Sequence, residues 1–537
     1  MANVFKKVID RLAWVQVAPA PSAHGAATCM AADLRSDLSR NPFAYQLASA
    51  TVLNRYNIVT KAWGPVNSPA LAGTFVAGAA MAFAPSLGLV GTIAAGATTT
   101  SVVISTAFPT AVGLNMLANR GGSGEYGFKI RIIDTVAGKT AERYIIGNSA
   151  GTAPTINVLS SFGFTPTAGA RYEIVAGRVF MLGGGTTAAN IWRSFEVASN
   201  TLSTGLSTTG LPVTISVDTD IMVLDEQYTP YNCSPGDGMV KGAYAYDVGL
   251  VTRYALAATA AGASTLTGQA TLGDAEVAVN EYRNFQIRVV EDTVTPTSVG
   301  QRRIIASHTA GPSAVYTLGT AWTVTPSSSA KFVIELPNLM LVRSSATTTV
   351  YTYNYGDATV NNGTNSIAAG AWSTTYFGVA PAANASGGLW APSWGIQPDP
   401  ARNARQSFCY FFRGGAVTLD VLDIAGSITG TWTGAVVYDG SVALTVGTCG
   451  TYAPFENEGR MTYLNIYAAT AVNQMYRFDA QNRVLSPFAP TDFLQSGGAV
   501  LGKRMVAYAA LDGTDVYDVV LLQSHLSAVA QEMVVLV

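Results

Sequence analysis

Three histidines, His24, His308 and His525, are the whole imidazole supply of this 537-residue chain. None stands in an H-x-x-x-H or H-x-x-E spacing, so a histidine-based zinc site is not expected. Nothing in the sequence arranges a Ser-His-Asp triad around them either. Gly147-Asn148-Ser149-Ala150-Gly151 has the G-x-S-x-G spacing, which presents a nucleophilic serine only at a strand-to-helix turn. Its flanks, Arg143-Tyr-Ile-Ile146 and Thr155-Ile-Asn-Val-Leu159, both read as strands, so a hairpin loop is expected there. The carboxylates cluster as Asp218 with Asp220, Asp420 with Asp423, and Asp512, Asp515 and Asp518. A carboxylate pair at the right separation hydrolyses glycosides. However, Asp420 and Asp423 fall in a strand-and-turn phrase where aspartate caps the turn. Asp512-Gly-Thr-Asp515 reads as a β-turn between two strands. The calcium-loop pattern is incomplete everywhere, and Gly183-Gly-Gly185 lacks the Lys-Ser/Thr of a phosphate loop. No catalytic, cofactor-binding or metal-binding residue is assigned. Trp390-Ala-Pro-Ser-Trp394 is the best candidate for an exposed aromatic platform, with Trp390 and Trp394 facing a glycan or partner. The competing reading is aromatic packing between sheets or subunits.

These residues sit in an unusual background. Charged residues make up 12% of the chain, against about 25% in an ordinary domain. Hydrophobic residues reach 49% and the net charge is −2. That balance excludes intrinsic disorder, which needs low hydrophobicity and high net charge. It also argues against sequence-specific nucleic-acid binding, which needs clustered cations. A near-neutral surface relies little on charge repulsion to stay monomeric, which suits a subunit of an assembly. The 58 residues between Lys61 and Arg120 carry no formal charge, but Pro65, Pro69, Pro85 and Pro109 break them up. They read as β-strands and tight loops rather than a spanning helix, so no membrane is expected. The start, MANVFKKVIDRLAWVQV, has no apolar core of signal-peptide length, which points to synthesis in the cytoplasm. Cys29, Cys233, Cys409 and Cys449 form no C-x-x-C pair and read as buried or free thiols, with a Cys409–Cys449 bridge as the alternative.

Helical periodicity is confined to residues 5–12 and 31–38. The remainder alternates short Val/Ile/Thr/Tyr/Phe runs with Gly, Pro, Asn and Asp, the pattern of an all-β chain. The chain also repeats itself. Phe128-Lys-Ile-Arg-Ile-Ile-Asp134 corresponds to Phe285-Gln-Ile-Arg-Val-Val-Glu291, and Arg143-Tyr-Ile-Ile146 to Arg302-Arg-Ile-Ile305. Arg171-Tyr-Glu-Ile174 corresponds to Lys331-Phe-Val-Ile334. In this alignment His308 stands opposite Ser149. The offset grows from 157 to 160 residues, so two copies of one compact antiparallel module are expected, over 96–175 and 255–336.

A second phrase brackets the modules. An apolar strand ends in small residues, an aromatic strand follows, and an Asn/Asp/Gly turn leads to a bulky apolar residue. Arg178–Gly185 with Trp192–Leu202, and Cys409–Gly415 with Leu419–Trp432, show it best. Residues 463–485, 53–63 and 339–355 carry weaker versions. The phrase resembles kelch-type β-propeller blades, in which a glycine pair lets the inner strand crowd the axis. The resemblance implies a degenerate propeller of five or six blades over 51–95, 175–250 and 335–537. The two modules would be insertions in consecutive blades, and residues 1–50 an N-terminal arm. A string of β-sandwich domains is the alternative.

The module phrase, I-R-I-I…R-x-I-I…F/W-x-x-T-P…Y-E-I, resembles short β-modules of tailed-bacteriophage virion proteins. A propeller with inserted β-domains also resembles the plan of neck and tail nozzle or collar proteins. The resemblance implies a non-catalytic structural subunit of the virion. It would form a homo-oligomeric ring against portal, adaptor or tail proteins, with a near-neutral lining suited to a DNA channel. A glycan-binding, receptor-recognising tail component is the alternative.

Overall fold

The computed structural model describes residues 14–21, 28–33, 42–66, 75–119, 127–183, 191–211, 219–226, 244–268, 278–392, 407–452, 461–466, 474–489, 505–509, 519–524 and 530–535, apart from one to three residues at a time inside those ranges. Among them the chain is almost entirely β. The expected helix at 31–38 gives way to a strand at its start, because Ala31 and Ala32 pair with Tyr45 and Ala44. The other expected helix, 5–12, lies outside the described residues.

Strand β1 (Trp14–Val17) stands apart in sequence from the sheet it joins. Strands β2 (Cys29–Ala32), β3 (Phe43–Ser49), β4 (Val52–Asn57) and β5 (Ala62–Pro65) form a first antiparallel meander. Strand β6 (Ala80–Ala84) opens a second, which is interrupted by β7 (Gly88–Thr92), β8 (Ser101–Val103), the short helix α1 (Met116–Asn119), β9 (Lys129–Asp134), β10 (Lys139–Asn148), β11 (Thr155–Val158) and β12 (Arg171–Val175). Strands β13 (Arg178–Leu182), β14 (Trp192–Glu196) and β15 (Thr201–Leu202) then complete the second sheet. The third sheet is interrupted at the same point. It opens with β16 (Asp220–Leu224), followed by β17 (Tyr244–Val248), β18 (Val251–Gly262), β19 (Thr265–Gly268), β20 (Gln286–Glu291), β21 (Arg302–His308), β22 (Val315–Leu318) and β23 (Lys331–Glu335). Strands β24 (Leu339–Arg343) and β25 (Tyr351–Asn354), a small hairpin of β26 (Val360–Asn361) and β27 (Ser366–Ile367), and β28 (Trp372–Ser373) follow. The fourth sheet is β29 (Leu389–Pro392), β30 (Phe408–Phe412), β31 (Thr418–Asp423) and β32 (Thr431–Val437). The fifth is β33 (Cys449–Tyr452), β34 (Met461–Ile466), β35 (Gln474–Asp479) and β36 (Val484–Ala489). The sixth is β37 (Met505–Ala509), β38 (Val519–Ser524) and β39 (Ala530–Val535), with β1 pairing on β39 from Trp14 opposite Met533 to Val17 opposite Ala530. The segment expected to be an arm therefore supplies strands β1, β2 and β3.

The first strands of the six sheets neighbour one another in cyclic order: β2, β6, β16, β29, β33, β37 and back to β2. Crowding explains their composition. Cys29-Met-Ala-Ala32 and Ala80-Met-Ala-Phe-Ala84 are buried on both faces, and alanine is what fits between close neighbours. The glycine pairs expected at the crowded strand instead follow second strands, β13 and β30. Adjacent sheets are locked by interdigitating aromatics. Between the second and third, Trp192 stacks on Phe180 at 5.3 Å and meets Tyr353 and Trp372 at 5.2 Å each. Between the first and second, Tyr45 packs on Phe83 and Phe195. Between the fourth and fifth, Phe412 meets Phe478 edge-on at 4.7 Å. Such pairs add about 0.5–1.5 kcal/mol beyond their buried area.

The two interruptions share one pairing plan. In the first, β9 pairs with β10 and β12, β10 with β11, β11 with β8, and β12 with β7. In the second, β20 pairs with β21 and β23, β21 with β22, β22 with β19, and β23 with β18. Both place a register break at one point, between Ile145 and Gly147 and between Ile305 and Ser307. Contacts of β10 with β17 and β20 join the two into one continuous 13-stranded sheet.

Candidate functional site

Strand β9 reads Lys-Ile-Arg-Ile-Ile-Asp, and alternation would send Lys129 and Arg131 to one face together. That face is buried, so the cations need partners. Register supplies them: Arg131 stands opposite Glu142 on β10 and Glu173 on β12. Its Nε donates to Glu142 Oε1 at 2.5 Å and its Nη1 to Glu173 Oε2 at 2.9 Å. A third carboxylate, Glu226, arrives from the segment after β16 and contacts Arg131 Nη2 at 2.5 Å. The other Glu226 oxygen accepts from Arg302 Nη2 on β21 at 3.1 Å. Arg302 also reaches Asp357 at 3.5 Å, and Asp357 pairs with Arg171 of β12. Lys129 lies 4.0 Å from Glu142, and Arg288 on β20 forms a two-pronged pair with Glu335 on β23, at 3.0 and 2.5 Å.

Ten side chains thus meet where both modules and the third sheet join. Five are cationic (Lys129, Arg131, Arg171, Arg288, Arg302) and five anionic (Glu142, Glu173, Glu226, Glu335, Asp357). Arg131, Glu142 and Glu226 are fully buried. Burial alone would raise the Glu226 carboxyl. The guanidinium groups of Arg131, Arg302 and Arg288 outweigh that and hold it well below the usual carboxylate range. Asp357, where burial also opposes ionisation, is held down by Arg302 and Arg171. Arg288 is held above the ordinary arginine value by Glu335 against the opposing effect of burial. A carboxylate locked in its ionised form by three cations is a poor proton donor at neutral pH.

A second, smaller pair joins the third and fourth sheets. Buried Arg343 on β24 donates to Asp420 Oδ2 at 2.9 Å and lies 4.1 Å over the Phe411 ring. Asp420 also accepts from Arg413 Nε at 2.9 Å. The expectation that Asp420 caps a turn is therefore corrected. Asp423 has that role, accepting from the Ala425 backbone N–H. Asp220 accepts from the Trp390 backbone N–H at 2.7 Å. Asp218, Asp512, Asp515 and Asp518 lie outside the described residues.

The remaining candidates are placed as follows. Ser149 sits in the β10–β11 connection, and its Oγ accepts from Thr155 N–H at 2.9 Å. Its counterpart is Thr309, which accepts from Val315 N–H, so the expected Ser149–His308 match is off by one. His308 instead matches Asn148. Asn148 Oδ1 accepts from Leu117 N–H, and His308 Nε2 accepts from Tyr282 N–H, both at 2.9 Å. His308 is thereby fixed as neutral, and burial lowers its affinity for a proton. Trp390 is buried on β29 against Phe411 at 4.8 Å and Trp432 at 6.4 Å. Buried there, it is not an exposed platform, and these two rings belong to its own sheet. Trp394 lies outside the described residues. Cys29 and Cys409 are buried free thiols, which corrects the bridge considered for Cys409.

Beside the charge network lies a cleft of about 270 Å³ between module two and the loop after β25. Arg302 and Asp357 belong to both. Among the described residues, no helix is long and apolar enough to cross a membrane, a statement that does not bear on β-barrels.

No family model matches the chain, and no curated protein matches it. Among solved structures, the chain is similar to Sqt1 of Saccharomyces cerevisiae at 9% identity and a TM-score of 0.32, covering 98% of this chain and 99% of that one. It is similar to the Penicillium chrysogenum alpha-L-arabinanase complexed with arabinobiose at 10% identity and a TM-score of 0.22, over 67% of this chain and 90% of that one. A NanB structure with Optactamide matches at 6% identity and a TM-score of 0.22, over 99% and 96%. Likenesses this low carry no argument.

Proposed function

We propose that the chain is a non-catalytic structural subunit of a tailed-bacteriophage virion, forming a ring in the neck or tail as a nozzle or collar protein. On this reading the six sheets are blades of a six-bladed propeller. The support is the cyclic order of their first strands and the pairing of β1 with β39. A string of separate sandwiches would leave both features without a reason. The duplicated modules are insertions between the first and second strands of two consecutive blades. The observation that carries the reading is the buried, charge-balanced network joining both modules to the third sheet. Fifteen of the 31 Lys+Arg and 33 Asp+Glu residues are buried among the described residues. A chain already poor in charge thus turns many of its charges inward, which leaves a rigid body with a near-neutral exterior. Such an exterior suits large contacts with copies of itself, and obligate interfaces of that kind exceed about 2,000 Å².

The glycan-binding alternative has lost Trp390 as its platform. The test is imaging of purified particles carrying a tag on this chain, with mass photometry of the isolated protein. A tagged ring at the neck or tail, and a closed multi-subunit species in solution, are expected. A chain that stays monomeric at high concentration and is absent from particles refutes the proposal.

A further inference from the structure

The two modules differ in what covers one matched face. In each, the strand with the register break pairs with the strand after it, and Ile145 opposite Val158 matches Ile305 opposite Leu318. Ile146 therefore corresponds to Ala306. Leu159 corresponds to Gly319, because their N–H groups donate to the Tyr144 and Ile304 carbonyls, each at 2.9 Å. In module two this face is covered. The connection from β25 to β28 carries the β26–β27 hairpin, which lies against β21. A Cβ at Gly319 would lie 2.2 Å from the Asn361 carbonyl oxygen, and Gly363 packs beside Ala306. Small residues thus let the hairpin dock. The second sheet has no such hairpin, since residues 197–200 alone link β14 to β15. The face of module one is left bare, and there the small residues are replaced by Ile146 and Leu159, 51% and 39% exposed. Scattered exposed apolar residues are ordinary. Large ones standing where the duplicate needs glycine and alanine against a docked element mark a face that is built to be covered.

Strands β8 and β11, and β10 beyond Arg143, carry no charge, and neither does the 360–367 hairpin that covers the duplicate. The partner is thus uncharged where it touches, because a charge buried there would go unpaired. The chain presents such an element itself. The β9–β10 and β20–β21 turns both read Asp-Thr-Val, and both expose the valine, Val136 at 69% and Val294 at 71%. The turns meet, with Asp292 N–H donating to the Gly138 carbonyl at 2.9 Å, so both valines stand at one junction. Their aspartates turn inward, Asp134 onto the Ala137 N–H and Asp292 onto the Thr295 N–H. Ile146 is seven residues along β10 from Lys139, or about 23 Å from this tip. Two different apolar patches so far apart do not meet within one chain. They meet between copies, and head-to-tail contacts of that kind close rings. We propose that the Ile146–Leu159 face of module one receives the Val136–Val294 tip of a second copy of this chain, each subunit offering its face to one neighbour and its tip to the other. This deepens the ring reading above and rests on it.

The experiment is sedimentation velocity of the full chain over a range of concentrations. Wild type is expected to self-associate. Leu159→Lys alone, and Val136→Lys together with Val294→Lys, should each weaken association by at least about tenfold. All three positions are exposed, so the thermal midpoints should match wild type. An equimolar mixture of the two variants should give a dimer and nothing larger, because each pair keeps one intact face and one intact tip. Gly319→Leu should displace the hairpin and speed hydrogen exchange at 360–367. Wild-type assembly that both variants leave unchanged overturns the proposal and leaves the ring reading standing. A mixture that stays monomeric overturns the head-to-tail pairing, and unchanged exchange in Gly319→Leu removes the comparison on which it is built. A wild type that stays monomeric at high concentration refutes the ring reading, and this proposal with it.

Discussion

Replacing Glu226 by Gln tests whether the buried network holds the modules to the body. The side chain keeps its shape but loses the charge that Arg131 contacts at 2.5 Å and Arg302 at 3.1 Å. Two guanidinium groups are left facing a neutral amide, and the network passes from balanced to net positive around a position where Glu226 and Arg131 are fully buried. Breaking a buried pair from one side costs about 3–5 kcal/mol. In a cooperative unit of the size of the fused modules, each kcal/mol moves the midpoint by about 2–4 °C, so a fall of about 6–20 °C is expected by calorimetry. Hydrogen exchange should quicken on β9 and β20 before the distant fourth and fifth sheets. Lys331→Gln is the control, because its pair with Glu291 at 3.1 Å is partly exposed and worth under about 1 kcal/mol. Adding Arg302→Gln to Glu226→Gln restores the balance, and the double variant should lose less than the sum of the singles. The pH dependence has a definite sign. Glu226 has a lower pKa folded than unfolded, so its stabilisation is present above the unfolded value of about 4.3 and is lost as pH falls through the folded value. Wild type should thus lose stability on acidification below about pH 4 more steeply than Glu226→Gln. A midpoint within about 1 °C of wild type for Glu226→Gln, with strict additivity in the double variant, would refute the reasoning.

His308→Asn should cost under about 1 kcal/mol in chemical denaturation because Asn148 already does this work in the first module, whereas His308→Leu, which strands the Tyr282 N–H, should cost about 1–3 kcal/mol. The depressed His308 pKa means that its contribution is lost as pH falls below the unfolded value of about 6.5, so the wild type minus His308→Asn difference should shrink between pH 7 and 5. Gly88→Ala should unfold the β7–β12 edge, since a Cβ there would lie 1.5 Å from the Ile174 carbonyl oxygen; native exchange protection of Ile174 in that variant would contradict the close approach. Cys29 and Cys409, with burial pushing both thiols above the ordinary cysteine range, should resist iodoacetamide in the folded chain and react once it is denatured, as mapped by peptide mass spectrometry. Removing residues 1–20 uncovers the β39 edge and should lower the midpoint and promote self-association, read by light scattering.

The all-β character was legible because turn chemistry and alternation are local signals. The duplication was legible too, but its alignment slipped where backbone irregularity, invisible to residue matching, intervenes. Strand β20 bulges at Val290, so that Val289 faces Phe332 and Glu291 faces Lys331. The counterpart of Asp134 is therefore Asp292 and not Glu291. Both aspartates accept from the two backbone N–H groups of their own turn, and from Thr167 and Ser327 across it. Two further residues enter in the longer turn that holds Pro296–Ser298, which shifts Arg143 onto Arg303. Those two arginines make the same contacts, Nε to the carbonyls of Ser161 and Ala321. The charge network was missed for a different reason. The arginines and glutamates inside apolar strands were visible in Lys-Ile-Arg-Ile-Ile and Arg-Tyr-Glu-Ile. What joins them is Glu226, about 95 residues from Arg131 and 76 from Arg302, and no local pattern carries that pairing. Trp390 failed as a surface candidate because a short Trp-Ala-Pro-Ser-Trp phrase does not tell a buried first strand from a loop.

The way the two modules diverge says which of them depends on the other. At one pair of positions the first module sets Arg131 against Glu142, a carboxylate of its own. The second sets Arg288 against Arg302, two like charges directly opposite, which an isolated sheet would find destabilising. Glu335 takes up Arg288, but Arg302 finds its carboxylates only outside the module, at Glu226, Asp357 and, at 3.9 Å, Glu173 of the first module. Glu226 in turn needs Arg131 of the first module. The second module is thus electrostatically incomplete without both its neighbour and the third sheet, whereas the first module would retain its Arg131–Glu142–Glu173 cluster alone. Expressed separately, the first module should fold more readily than the second. Arg302→Glu, which copies the first module's pairing into the second, should make an isolated second module more stable. The same change should destabilise the full chain, where it gathers Glu226, Glu173 and Asp357 around a fourth carboxylate. Opposite signs in the two contexts are what a duplicated unit shows once one copy has come to rely on a composite site, and equal signs would mean that Arg302 acts within its own module after all.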